Sequence, residues 1–190
     1  MDVLKNNFWY VPEILTKEEL RLLNIYCQIK HSWNYEQFDD VQTALGETAI
    51  YGDTIMESLL KIKTPNFEKV IGKKILPTYS FWRMYNKFSV LNRHLDRPSC
   101  EITASINLGG CGTKWPLIVE GKSVDIKPGD AVVYHGAKLE HWREEFQGDA
   151  QAQVFFHWVY ADGPEKGEIF DRRKDLGDPA RPKVKLSNNA

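Results

Sequence analysis

From Thr78 onward the chain loses its helical period and becomes a series of short alternating segments, and this change constrains the fold more than any other feature. Tyr79 to Tyr85, Glu101 to Leu108, Leu117 to Val119, Ser123 to Ile126, Ala131 to Tyr134 and Gln151 to Tyr160 are rich in β-branched and aromatic residues and are bounded by Gly, Pro and Asn. Short strands spaced in this way pack as an antiparallel sandwich or barrel. Pro128-Gly129 predicts a turn, because Pro pre-sets the first turn dihedral and Gly accepts a positive φ at the second.

Ahead of Thr78 the pattern is helical. Phe8 to Val11 reads as a short strand, and Thr16-Lys17-Glu18-Glu19 is a capping-box sequence opening a helix with Leu20, Leu22, Leu23 and Tyr26 as its apolar stripe. A second helix is predicted from Thr54 to Lys61, and a third from Asn66 to Ile71, ended by Gly72. The expected class is mainly β with N-terminal helices (α+β). With 190 residues, one domain is expected over 1–160, with helical support over 12–75 and a strand core over 78–160. The polar segment 161–190 is expected to drape over the surface.

Within the strand region, His94-Leu95-Asp96 and His141 stand out, each at a predicted strand end. In an extended strand, residues i and i+2 share a face, so His94 and Asp96 can reach one ion while Leu95 points away. A third ligand from another strand, His141, completes a two-histidine, one-carboxylate face. Such a face leaves coordination positions open, which suits Fe(II) catalysis rather than a closed structural site. The alternative is a charged turn, since Arg93 and Arg97 flank the pair. His31, His135 and His157 are read as structural, with His135 the replacement if the ligand choice were wrong.

A formal net charge of −1 gives no pull toward nucleic acid or anionic membrane. No apolar run approaches the roughly 20 residues of a membrane helix, and the N-terminus lacks a signal-peptide layout, so a cytoplasmic protein is expected. Cys27, Cys100 and Cys111 are odd in number and widely spaced, which fits a reducing compartment.

Together, Tyr79 to Tyr85 ahead of His94-Leu95-Asp96, then Gly129 to Tyr134, His141 and the Val154 to Trp158 strand resemble the 2-oxoglutarate- and Fe(II)-dependent oxygenases. Within them the chain is most similar to the prolyl-4-hydroxylase-like branch, which Tyr10-Val11-Pro12-Glu13-Ile14-Leu15-Thr16 leading into the first helix also resembles. The resemblance implies a double-stranded β-helix (jelly roll, cupin-like) buttressed by helices. It implies His94, Asp96 and His141 as catalytic iron ligands, with 2-oxoglutarate and O2 as co-substrates and ascorbate as an accessory reductant. The implied reaction couples decarboxylation of 2-oxoglutarate to succinate and CO2 with hydroxylation of a protein or peptide side chain, prolyl by analogy. A small-molecule or nucleic-acid substrate, and a non-catalytic metal-binding module, are the alternatives; the few basic residues of the tail, Arg181, Lys183 and Lys185, do not argue for nucleic acid. Oligomeric state is not legible.

One family feature is absent. Relatives place an Arg or Lys on the last core strand to pair with the C5 carboxylate of 2-oxoglutarate, and here that position is Gln151, with Gln153 two residues on. An amide lacks the charge and the bidentate fork of an Arg. Arg143, two residues after His141, is the first candidate to compensate, followed by Arg83 and Lys87. Tyr85 is expected to add a phenolic hydrogen bond, and Thr103, Ser105 and Asn107, on one face of their strand, to complete a polar pocket. Substrate specificity is expected from loops over the barrel mouth, Ser32 to Gly52 and Gly109 to Lys114.

Overall fold

The computed structural model describes residues 8–33 and 47–178. Ten strands and two α-helices follow in the order β1 (Phe8–Val11), α1 (Lys17–Ser32), β2 (Thr48–Tyr51), α2 (Thr54–Ile71), β3 (Ile75–Asn86), β4 (Leu91–His94), β5 (Ile102–Gly110), β6 (Leu117–Val119), β7 (Lys122–Val124), β8 (Ala131–Tyr134), β9 (His141–Arg143) and β10 (Ala150–Tyr160). They form a larger sheet ordered β1-β8-β5-β10-β3-β2 and a smaller sheet ordered β4-β9-β6-β7, with every pairing antiparallel. This is the expected jelly roll.

Period-2 alternation divides the larger sheet into two chemistries. One face carries Ile102, Ala104 and Ile106 of β5, Val154 and Phe156 of β10, and Trp82 and Met84 of β3, packed with Leu23 and Cys27 of α1 and Met56, Leu60 and Phe67 of α2. Burying each such large side chain stabilises the fold by about 1.5–3 kcal/mol. The other face looks into the barrel. Cross-strand pairing there sets Tyr134, Thr103, His157 and Tyr79 in one row, Val132, Ser105, Phe155 and Phe81 in the next, and Asn107, Gln153 and Arg83 in a third. The barrel interior is therefore polar at intervals because its register brings these positions together.

Local chemistry sets the helix ends. The Thr16 hydroxyl accepts from the Glu19 amide at 3.1 Å while the Glu19 carboxylate accepts from the Thr16 amide at 2.8 Å, the expected capping box. Asp53 caps α2 by accepting from the Ile55 amide and also receives the Tyr26 hydroxyl at 2.6 Å, tying α1 to α2. The two separate helices expected over 54–71 are one continuous helix with Pro65 inside it. Pro65 is exposed, so the Lys61 carbonyl that it leaves without an amide can turn to water, while the Thr64 hydroxyl bonds the Leu60 carbonyl at 2.7 Å. At the predicted turn, Gly129 has φ +89° and the Asp130 amide donates to the Lys127 carbonyl at 3.0 Å.

Strand β2 was not expected, β4 and β9 were expected only as the strand ends carrying His94 and His141, and β7 ends at Val124 rather than Ile126. Residues 161–178 pack back on the sheet. Arg173 forms a buried ion pair with Glu57 of α2 and donates to the Thr78 carbonyl at 3.2 Å. Residues 179–190, with Arg181, Lys183 and Lys185, and most of the loop expected over 32–52 lie outside the described residues.

Candidate metal centre

His94 ends β4, His141 opens β9, and the two residues are direct cross-strand partners. Their rings lie 4.2 Å apart between centroids. Each Nε2 is 3.6 Å from Asp96 Oδ1, and the three ligand atoms lie within 4.8 Å of one another. The His94 Nδ1–H donates to the Asn92 carbonyl at 2.7 Å and the His141 Nδ1–H to the Leu139 carbonyl at 2.9 Å. Since a carbonyl can only accept, these bonds place the protons on Nδ1 and leave both Nε2 lone pairs aimed inward. The donor set thus fits a hard-to-borderline divalent ion such as Fe(II): two neutral imidazoles and one carboxylate on one side, with the cavity on the other.

Asp96 is held from behind. Its amide donates to the Gly136 carbonyl at 3.0 Å, and its Oδ2 accepts the Thr103 hydroxyl at 2.7 Å. Thr103 Oγ1 in turn lies 3.1 Å from His157 Nδ1. Because the hydroxyl proton goes to Asp96, His157 must be the donor in this pair, giving a directed chain from His157 through Thr103 to Asp96. Burial pushes the Asp96 carboxyl up, but its interactions with His141 and His94 outweigh burial and hold it well below the usual carboxylate range. Gly136 belongs to this support as well. A methyl group there would overlap Asp96 Oδ2 and come within 2.5 Å of Thr103 Oγ1.

Two outcomes follow from this support. Replacing Thr103 by valine should lower Fe(II) affinity about 10- to 100-fold, the scale for loss of a partner that orients a ligand, with the fold intact. Competition with a metal chelator reads it, and unchanged affinity would remove Thr103 from the site. Burial lowers His157 to about 4 from its ordinary 6.5, so the unfolded chain binds the extra proton first. Stability contributed by neutral His157 is fully present above about pH 6.5 and is lost as pH falls toward about 4. Urea unfolding from pH 7 to pH 4.5 should show this slope, and His157→Gln should flatten it.

Away from the metal face, Tyr51, Tyr79, Phe81, Arg83, Tyr85, Leu91, Thr103, Tyr134, Phe155 and His157 wall a cavity of about 220 Å³ that reaches His94, Asp96 and His141. Arg143 is fully buried beside it. Its guanidinium carbon lies 4.9 Å from the Trp115 ring centroid, and its N–H groups reach the Trp115 carbonyl and, at 3.3 Å, Ser105 Oγ. Among the described residues no carboxylate lies within ion-pair distance of it, and burial pulls its pKa down to about 10. Arg143 Nε, the Tyr85 hydroxyl, Gln151 Oε1 and both amide atoms of Gln153 are buried without a hydrogen-bond partner among the described residues. Single atoms such as Trp9 Nε1 and Ser99 Oγ are also left over elsewhere, but here five such atoms fall on four residues, Tyr85, Arg143, Gln151 and Gln153, a concentration that suits a polar ligand.

The remaining expected site residues fall as follows. Arg83 is buried on the cavity wall, over the Phe81 ring at 4.9 Å and the Tyr85 ring at 5.9 Å. The Asn107 amide is spent on backbone, donating to the Ile126 carbonyl and accepting from the Gly109 amide, both at 2.7 Å. Lys87 is exposed in the turn after β3. The loop at Gly109 to Lys114 leaves β5 at the end away from Thr103, about 23 Å along the strand from the metal face, so it does not cover the ligands. His135 turns toward Glu101, its Nε2 3.8 Å from Glu101 Oε1, rather than toward the ligands. The sequence reading missed Gly136 and the support given by His157, which only the pairing of β10 with β5 brings to Asp96.

No family model matches the sequence, and no curated protein matches it. Solved structures do. A Pseudomonas putida prolyl-4-hydroxylase matches at TM-score 0.63 and 13% identity, covering 84% of this chain and 95% of that one. The viral collagen prolyl hydroxylase from Paramecium Bursaria Chlorella virus-1, in its 2-oxoglutarate complex, matches at TM-score 0.62 and 11% identity, covering 83% and 98%. EctD from S. alaskensis with 2-oxoglutarate and 5-hydroxyectoine matches at TM-score 0.65 and 13% identity, covering 94% and 83%. At these identities the likeness establishes the fold, which is that of the 2-oxoglutarate/Fe(II) oxygenases.

Proposed function

We propose that this chain is an Fe(II)- and 2-oxoglutarate-dependent oxygenase that hydroxylates its substrate. The observation that carries the reading is the convergence of His94, Asp96 and His141 at one end of a jelly roll, with both imidazole protons fixed on Nδ1. When bound, iron and 2-oxoglutarate supply the oxidising chemistry, coupling decarboxylation to succinate and CO2 with oxygen insertion from O2 into a C–H bond. Ascorbate would serve as an accessory reductant.

The chain's own residues have separate tasks. His94, Asp96 and His141 hold the ion, while Thr103, His157 and Gly136 fix the direction of Asp96. Arg143 takes the C5 carboxylate of 2-oxoglutarate. Strand β9 sets it two residues beyond His141, about 7 Å, which suits a five-carbon dicarboxylate anchored at both ends. The Tyr85 hydroxyl and the Gln153 amide supply the neutral donors beside it, and Gln151 takes the position where relatives carry the cation. Arg83 and the aromatic walls then border the space for the substrate and exclude bulk water.

The neighbours named as prolyl hydroxylases and as EctD act in one case on protein and in the other alongside a small molecule, so they favour neither substrate class for this chain. A peptidyl, including prolyl, substrate is carried by the sequence resemblance. Three free thiols, at Cys27, Cys100 and Cys111, suit a reducing cytoplasmic setting, and among the described residues no helix is long and apolar enough to cross a membrane. Mass spectrometry of succinate tests the reaction. Succinate should form only with Fe(II), 2-oxoglutarate and O2 together. Iron-loaded protein that forms none, even with a broad set of peptides and small molecules, would favour the non-catalytic metal-binding reading.

A further inference from the structure

The segment after β10 begins as a 3-10 turn at Pro164 and, before it reaches Arg173, breaks into an unusual conformation. Phe170, Asp171 and Arg172 have φ of 53°, 54° and 61°, three successive left-handed residues without a glycine among them. Such conformations are strained and persist where the surroundings impose them. Their effect is to turn the Asp171 carboxylate onto Tyr51, on the cavity wall, and onto Arg97, which follows the cavity residue Asp96. Arg97 Nη1 donates to Asp171 Oδ1 and Arg97 Nη2 to Asp171 Oδ2, each at 2.8 Å, and the Tyr51 hydroxyl donates to Oδ2. Three donors thus converge on one carboxylate.

These donors border the site already described. Arg97 follows Asp96 in the chain, and its guanidinium carbon lies 4.6 Å from the centroid of Tyr79, which with Tyr51 walls the cavity. The Arg97 side chain remains 50% exposed while Asp171 is 12% exposed, so the cradle is open to solvent even when filled. Stability does not account for the arrangement. A half-exposed ion pair contributes less than three left-handed residues cost, and the segment is already anchored by the buried Arg173–Glu57 pair.

Resting on the oxygenase reading, we propose that Arg97 and Tyr51 form a carboxylate subsite for the primary substrate, that Asp171 fills this subsite in the free protein, and that the substrate is a small carboxylic acid with a hydrophobic body rather than the peptidyl group to which the sequence resemblance points. The acid would exchange with Asp171, keep the same three donors, and lay its apolar part against Tyr51, Tyr79 and Phe155 toward the metal face.

Calorimetric titration of the anaerobic protein, saturated with Fe(II) and 2-oxoglutarate, tests this with matched probes: N-acetyl amino acids bearing apolar side chains, and the amides of the same compounds. At least one acid should bind about 10-fold or more tighter than its amide, because the amide cannot accept a bidentate fork. Arg97→Gln should erase that preference, and Arg97→Lys should keep part of it. Asp171→Asn, which tolerates the left-handed backbone, should tighten the acid at least about threefold and leave the amide unchanged. Equal binding of acids and amides, no binding to either wild type or Asp171→Asn, or weaker acid binding by Asp171→Asn would each overturn the proposal. Loading with 2-oxoglutarate is followed separately by its visible band with iron. A missing band faults the oxygenase reading, whereas a normal band without acid preference faults only the subsite.

Discussion

Asp96→Ala and His141→Ala proteins should fold but lose iron binding and nearly all succinate formation. Each mutation removes one of the three proposed ligands, whose donor atoms converge within 4.8 Å, and on this reading two ligands do not hold the face. Turnover should fall on the order of 10³-fold or more, the scale on which enzymes lose rate when an indispensable group is removed. Stability should change far less. Removing Asp96 leaves the Thr103 hydroxyl without its acceptor at 2.7 Å, a loss of about 1–2 kcal/mol. A urea midpoint close to wild type together with abolished metal binding is the expected pair of results, and full turnover by either variant would sink the ligand assignment.

The second large effect concerns Arg143, where stability and binding should move in opposite directions. Its guanidinium is fully buried with no carboxylate partner among the described residues, so the ligand-free protein carries an uncompensated charge in its interior. Replacing Arg143 with methionine removes that charge while filling the space beside Trp115. The unloaded protein should then be as stable as wild type, or more so by about 1 kcal/mol or more. Affinity for 2-oxoglutarate should instead fall by about 2–5 kcal/mol, which is roughly 30-fold or greater, because the C5 carboxylate would be left buried without its cation. A side chain present only for structure would lose stability and leave 2-oxoglutarate binding unchanged. Should Arg143→Met bind 2-oxoglutarate normally, the anchor passes to Arg83 on the cavity wall.

The parts of this account legible in the sequence are those written in local patterns. The His94-Leu95-Asp96 spacing brings two candidate ligand atoms to 3.6 Å of each other, as the two-residue repeat of an extended chain predicts. The Thr16 to Glu19 box and the Pro128-Gly129 turn are decided by bonds within three residues, and both formed as expected. The short strands β4 and β9 were less legible, since a strand of three or four residues has too little length to show a period. The one helix over 54–71 was read as two because the sequence does not reveal that a proline at position 65 would be accommodated on the exposed side of a continuous helix. His157, Gly136 and Asp171 were hidden for a different reason. His157 and Asp171 lie more than 50 residues along the chain from Thr103 and Arg97, Gly136 lies far from both Asp96 and Thr103, and none of these meetings has a local signature. They follow from sheet register and from the path of the segment after β10.

The most direct test of the central claim is an anaerobic titration of the purified protein, first with Fe(II) and then with 2-oxoglutarate, following the visible charge-transfer band of the chelate. The account predicts a saturable band that disappears in His94→Ala and needs a much higher 2-oxoglutarate concentration in Arg143→Met. Iron bound through the same three residues with no response to 2-oxoglutarate would contradict it, leaving a metal-binding jelly roll without oxygenase chemistry.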